Sequence, residues 1–324
     1  MRYRKLGRTD IEVSEVGFGA WAVGGGFELG GSGIGYGPTD DATSISAVYR
    51  AVDLGVTLID TADAYGAGHS EELLGEALGG RWDGINLATK VGNERCDPLP
   101  GRKNFGRDYI FEACERSLTR LKKDVIDVYQ LHNPPPEVFS QDDVWTTLAD
   151  LRQQGKIRFV GMSISDPPEG VELISSDRVD VLQIHYNILT RHAEAELLPL
   201  CKKQNIGTLI RVPMASGLLG GNYTKDTVFP STDHRGNWLK DELLSRAIDD
   251  VDAVREAIGG DLSMAEAALR FVLENPAVSC VIPGAKTPHQ VDANIAASAD
   301  TSLLGDGWTE RIRQAVAGDF VRMT

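Results

Sequence analysis

The sequence predicts one closed α/β unit over residues 1–324, a single (β/α)8 barrel fronted by an N-terminal β-hairpin. Three features carry that prediction. Eight short Val/Ile/Leu-rich runs recur at 15–19, 57–60, 85–89, 125–131, 158–162, 180–184, 207–211 and 278–282. Each is almost unalternated, as parallel strands covered on both faces must be. Each is followed by a loop and a segment of 3.6-residue periodicity, and no linker or low-complexity stretch interrupts the series. Eight β-then-α units in unbroken succession favour a closed TIM-type barrel over an open sheet.

In chain order, Tyr3 to Ser14 carries the polar turn Gly7-Arg8-Thr9-Asp10 at its middle and reads as a hairpin plugging the barrel floor. The glycine-rich stretch from Gly17 to Gly37 follows. Its Gly17-x-Gly19-x-x-Ala22 spacing imitates a dinucleotide loop, but no helix opens at the third position and no Gly-Lys-Ser/Thr follows. It reads instead as a flexible first loop, with Trp21, Phe27 and Tyr36 as walls of a cleft. Ser70 before Glu71-Glu72 is expected to cap the second helix, placing carboxylates at its positive end. Asp108 precedes a stripe of Phe111, Cys114, Leu118 and Leu121, and Ser263-Met264-Ala265-Glu266 has capping-box spacing before Ala268, Phe271 and Val272.

Apolar residues make up 42% and charged residues 25% of the chain, the composition of a globular protein with ample core. A net charge of −14 opposes nucleic acid and anionic membranes as partners, since both require a Lys/Arg surplus. Cys96, Cys114, Cys201 and Cys280 are widely spaced without a CxxC, which fits neither a disulfide framework nor a zinc site. With no apolar segment after Met1-Arg2-Tyr3-Arg4-Lys5 and no long apolar span, a cytoplasmic, reduced setting is expected.

Chemistry in such barrels collects at the carboxyl ends of the strands. Runs two to seven end in Asp60, Lys90, His132, Ser163, Gln183 and Arg211, and Tyr65 lies on the loop just past Asp60. A tyrosine, with an ordinary pKa of about 10, becomes a useful acid when a cation stabilises its phenolate. Lys90 supplies that cation, Asp60 is placed to keep the lysine charged, and His132 can fix a carbonyl oxygen near the tyrosine hydroxyl.

These residues stand in segments that resemble the aldo-keto reductase signature: Asp60-Thr61-Ala62-Asp63-Ala64-Tyr65-Gly66, Leu87-Ala88-Thr89-Lys90 and Asp127-Val128-Tyr129-Gln130-Leu131-His132. Val160-Gly161-Met162-Ser163, Gln183 with Tyr186-Asn187, Pro213 to Leu219, and Ile282-Pro283-Gly284-Ala285-Lys286 with Asn294 extend the resemblance over nearly the whole chain. It implies an extended NADPH across the mouth, hydride transfer to the carbonyl of a small molecule, and Tyr65 as proton donor, with Asp60, Lys90 and His132 beside it. It also implies Ser163 and Gln183 at the nicotinamide carboxamide, with Arg211 where an aromatic ring often stacks. The 213–218 backbone, including Pro213, Met214, Ser216 and Leu218, would cradle the pyrophosphate. Gly284, Lys286, Gln290 and Asn294 would meet the adenosine end. Gly284 and Gln290 occupy places where one branch of the family has Lys and Arg for the 2′-phosphate, which leaves Lys286 as the expected cation and NADP ahead of NAD. In the variable loops, Trp21 and Trp238 are the candidate substrate contacts.

Other readings are weaker. A Schiff-base aldolase using Lys90 conflicts with Asp60, because a paired carboxylate suppresses the free amine. A metal hydrolase built on Asp60, His132, His185 and His192 leaves the Tyr–Lys pair unexplained and lacks a His-x-His, so no metal is expected. A regulatory barrel that holds the cofactor and turns over slowly is opposed only by the intact catalytic set.

Overall fold

The computed structural model describes residues 1–29, 32–94, 102–260, 262–298 and 307–320; Cys96 and the side chain of Phe27 lie outside the described residues. Strands β1 (Tyr3–Lys5) and β2 (Glu12–Ser14) form the N-terminal hairpin, with Tyr3 opposite Ser14. Strand β3 (Phe18–Gly19) opens the main sheet, and a small antiparallel hairpin of β4 (Phe27–Leu29) and β5 (Ser32–Ile34) follows it. The main sheet continues through β6 (Leu58–Asp60) and β7 (Asn86–Val91). A second short hairpin, β8 (Asn93–Glu94) with β9 (Arg102–Lys103), interrupts the series just past β7. Then come β10 (Ile126–His132), β11 (Ile157–Ser163), β12 (Val181–His185), β13 (Gly207–Arg211) and β14 (Cys280–Val281).

The main sheet is parallel in the order β3-β6-β7-β10-β11-β12-β13-β14. Its two edges meet: the Gly17 N–H donates to the Val281 carbonyl (2.8 Å) and the Val281 N–H to the Glu15 carbonyl (2.9 Å). The seam demands glycine, because a Cβ on Gly19 would lie 2.6 Å from the Ile282 carbonyl oxygen. The hairpin plugs the floor as expected, with Leu6, Ile11 and Val13 buried against inward-facing Leu58, Val128, Val181 and Leu209.

Helices α1 (Asp41–Asp53), α2 (His69–Leu78), α3 (Arg107–Leu121), α4 (Asp142–Gln153), α5 (Pro167–Ser175) and α6 (Leu197–Gln204) connect successive barrel strands. Two helices, α7 (Asp241–Ile258) and α8 (Met264–Leu273), fill the connection from β13 to β14. After β14, α9 (Pro288–Ile295) packs on α1, and α10 (Trp308–Ala315) packs on α7. Ser263 caps α8 as its spacing predicts, accepting from the Glu266 N–H.

Ser70 corrects the sequence expectation. It lies inside α2, whose cap position is Gly68, and its hydroxyl donates to the Ala20 carbonyl (2.9 Å) beside Thr61. Glu71 and Glu72 do lie in the first turn of α2 as expected, and Glu71 is in addition fully buried and held by Arg120 (2.6 Å) and the Thr89 hydroxyl (2.7 Å). Cys114, Cys201 and Cys280 are free and buried. No helix among the described residues is long and apolar enough to cross a membrane.

Candidate active site

Asp60 is the last residue of β6, and the chain leaves it through a tight turn in which Gly66 (φ 57°), Ala67 (φ 62°) and Gly68 (φ 98°) are all left-handed. A Cβ on Gly66 would lie 2.1 Å from the Gly24 carbonyl, so only glycine closes this turn, which carries Tyr65 back over the barrel mouth. Lys90, fully buried in β7, binds what the turn delivers. Its ammonium donates to Asp60 Oδ1 (2.6 Å), the Thr61 carbonyl (2.8 Å) and Tyr65 Oη (2.9 Å). All three ammonium protons are thereby engaged.

The second oxygen of Asp60 accepts from Gln130 Nε2 (3.1 Å) and Gln183 Nε2 (2.7 Å). Gln183 thus lines the cleft with its amide nitrogen turned toward Asp60. Gln130 was missed as a site residue, although a polar side chain inside the apolar run of β10 is a signal for a buried partner. His132 ends β10, and its ring meets that of Tyr65 edge-on at 5.8 Å between centroids. Its Nδ1 lies 2.8 Å from the Asn93 amide nitrogen.

Burial pushes the Tyr65 hydroxyl above the ordinary tyrosine value, against the opposing pull of the Lys90 ammonium. Burial acts to lower Lys90, but Asp60 and Tyr65 outweigh it and hold the ammonium above the usual lysine range. His132 falls well below the ordinary histidine value, first through burial and then through repulsion from Lys90, Lys103 and Arg211. At neutral pH the cluster therefore holds a protonated tyrosine, a charged lysine and a neutral imidazole. With the Asn93 N–H pointed at Nδ1, the imidazole carries its proton on Nε2.

The mouth opens into a cleft of about 1100 Å³. Asp60, Tyr65 and His132 line its base, and Trp21 stacks on Tyr65 at 5.7 Å between ring centroids. Ser163, Gln183 and Arg211 line the next stretch. Pro213, Met214, Ser216, Gly284, Lys286, Gln290 and Asn294 line it as well. The loop after β13 is left-handed at Val212, Ala215, Ser216 and Gly217, and Ser216 Oγ is buried with no partner among the described residues. Lys286 donates to the carbonyls of Tyr36 (2.6 Å) and Pro38 (3.1 Å), tying the first loop to the eighth.

Leu218, expected to act through its backbone, buries its side chain in the core at 1% exposure. One expected contact falls elsewhere. Trp238 lies outside the main cleft, in a small separate pocket beside His185, Asn187 and Phe320, because the chain from His234 to Asn237 turns the indole back toward the barrel wall. Asn93, Arg102, Lys103 and Asn133 line the cleft without having been singled out by sequence. Among the described residues no cluster of His, Cys, Asp or Glu is placed to hold a metal ion.

A (β/α)8 barrel whose carboxyl mouth gathers a Lys-bound Tyr, a carboxylate and a neutral His above a long cleft belongs with barrel oxidoreductases. The aldo/keto reductase family model matches residues 15–314, and the chain is a member of that family. The oxidoreductase YqkF of Bacillus subtilis is 34% identical over 302 residues, covering 92% of this chain and 91% of that protein. An NADH-specific methylglyoxal reductase of Escherichia coli is 31% identical over 328 residues, covering 94% and 97%. An aldo-keto reductase structure from Bacillus halodurans in its holo form superposes with a TM-score of 0.81 at 30% identity, covering 98% of this chain and 97% of that one.

Proposed function

We propose that this chain reduces aldehyde or ketone groups to alcohols, with NADPH as hydride source and Tyr65 as proton donor. The observation that carries the reading is the single ammonium of Lys90 bonded at once to Asp60 and Tyr65. The residues along the cleft fit the cofactor: Ser216 Oγ lacks a partner, the loop behind it is held left-handed, and cations outnumber carboxylates along the walls. When bound, the nicotinamide supplies the hydride.

As negative charge builds on the carbonyl oxygen, the neutral His132 donates from Nε2 to orient it, and Tyr65 Oη gives up its proton to it. Lys90 steadies the phenolate left behind, and Asp60 keeps Lys90 charged. The same arrangement disfavours Lys90 as a Schiff-base amine, because the lysine retains its proton. Lys286 supports NADPH over NADH as a lysine that lines the cleft together with Gly284 and Gln290, although the Escherichia coli relative is named for NADH.

Absorbance assays of NADPH and NADH oxidation against aldehydes, ketones and aldose sugars test the reading, with Tyr65→Phe beside the wild type. Removing the transferable proton while keeping the ring should lower kcat by about 10²–10⁴-fold and leave NADPH affinity, followed by fluorescence quenching, nearly unchanged. Near-normal turnover in Tyr65→Phe would remove Tyr65 from the role.

A further inference from the structure

The chain carries a net charge of −14, yet the cleft walls reverse that sign. Among the described residues, Arg102, Lys103, Arg211, Arg235 and Lys286 line the cleft against two carboxylates, Asp60 and Glu94. Both carboxylates are paired, Asp60 with Lys90 (2.6 Å) and Glu94 with Arg102 (2.7 Å), and among the cations Arg235 is paired with Asp233 (2.5 Å). The cations also fall into separate groups. Lys286 sits on the loop after β14, and Arg235 precedes α7 on the connection from β13. Lys103 belongs to the β8–β9 hairpin, which follows β7. In the strand order β7 stands four places from β13, which in a closed ring of eight is the opposite wall. Phosphates held behind Ser216 and Lys286 therefore do not account for Lys103.

Lys103 is fixed at the reacting corner. Its Nζ donates to the main-chain carbonyl of His132 at 2.7 Å, so one ammonium proton is engaged and the charge sits within one residue's span of the imidazole. The amides of Asn93 and Asn133 line the same corner, while Trp21 and Tyr36 form an aromatic wall. The geometry points to a substrate with a carbonyl at Tyr65 and an anionic group, a carboxylate or a phosphate, a few bonds away on Lys103. This deepens the proposed reductase function and rests on it. An ammonium in a cleft mouth both attracts such an anion and fixes its orientation for the proton transfer.

The test compares matched pairs: 4-carboxybenzaldehyde with benzaldehyde, succinic semialdehyde with butanal, and glyceraldehyde 3-phosphate with glyceraldehyde. In the wild type, kcat/KM should favour the anionic member, and the carboxylate and phosphate pairs show which anion is preferred. Lys103→Gln should cut the anionic-to-neutral ratio about tenfold, the scale of one charge-assisted contact near the surface. Lys103→Arg should keep most of the ratio, Lys103→Glu should invert it, and added salt should shrink it in the wild type. A ratio at or below one in the wild type, or one that Lys103→Gln leaves intact while neutral aldehydes are turned over, overturns the inference alone. Failure to reduce any of the six compounds overturns the reductase reading and this inference with it.

Discussion

Asp63 is a carboxyl whose surroundings oppose its charge. One carboxyl oxygen is buried with no partner among the described residues, and the other has the Tyr109 hydroxyl at 3.5 Å. Burial, then repulsion from Glu71, pushes its carboxyl up to about 7. Because the folded value lies above the unfolded one, the neutral acid's contribution to stability is complete below about pH 4 and is lost as pH rises through about 7. Asp63→Asn keeps the shape without the charge. Thermal melts from pH 4 to 8 should show its advantage over the wild type growing across that window and levelling above it, bounded by about 4 kcal/mol. A constant difference at every pH would show that the carboxylate carries no such cost. The tyrosine two residues on is likewise held above its ordinary value by burial, with the Lys90 ammonium pulling the other way. One short turn thus joins a carboxyl kept partly neutral to a hydroxyl kept protonated beside an ammonium.

At the scale of elements, α2 and α3 are joined by the buried pair of Glu71 and Arg120, at 2.6 Å with the carboxylate fully enclosed. Arg120→Met removes the only cation paired with that carboxylate among the described ion pairs, and such a loss typically costs about 3–5 kcal/mol. Urea unfolding should move to a lower midpoint by that order, and the double variant Glu71→Gln/Arg120→Met should recover much of it. An unchanged midpoint in the single variant would mean that Thr89 alone satisfies Glu71. The sequence did not reveal this pair, because Glu71 sits where a first-turn carboxylate normally faces water. Ser70 misled for a related reason: its hydroxyl is drawn to Ala20 and Thr61 on the neighbouring loops, a tertiary contact that local capping rules do not contain. The barrel strands were readable because burial on both faces leaves unalternated apolar runs, as at Gly207–Arg211. The hairpins of β4 with β5 and β8 with β9 were not, since they lie in a glycine-rich stretch and a polar stretch where no apolar run marks a strand.

At the scale of the whole molecule, closing the barrel turns strand order into proximity, and this decided which site residues were legible. Asp60, Lys90, His132, Ser163, Gln183 and Arg211 were visible because each is a polar residue at or near the end of an apolar run, and one mouth gathers such ends. Lys103 was not singled out and Trp238 was expected in the cleft, because only folding shows that one loop returns to His132 while the other turns away from the cleft. Lys286 is the clearest case of a residue with two neighbours far apart in sequence. It ties the first loop at Tyr36 and Pro38 to the loop after β14, and it also lines the end of the cleft expected to take the adenosine. Burial first, and Arg235 next, lower its ammonium, so an added phosphate would relieve both penalties at once. A 2′-phosphate offers that relief and a bare ribose hydroxyl does not. Lys286→Ala should therefore weaken NADPH by about tenfold or more relative to NADH, the scale of one charge-assisted hydrogen bond, when both dissociation constants are measured by fluorescence titration. Equal weakening of the two cofactors would assign Lys286 to the loop tether alone, and the preference for NADPH would lose its cation.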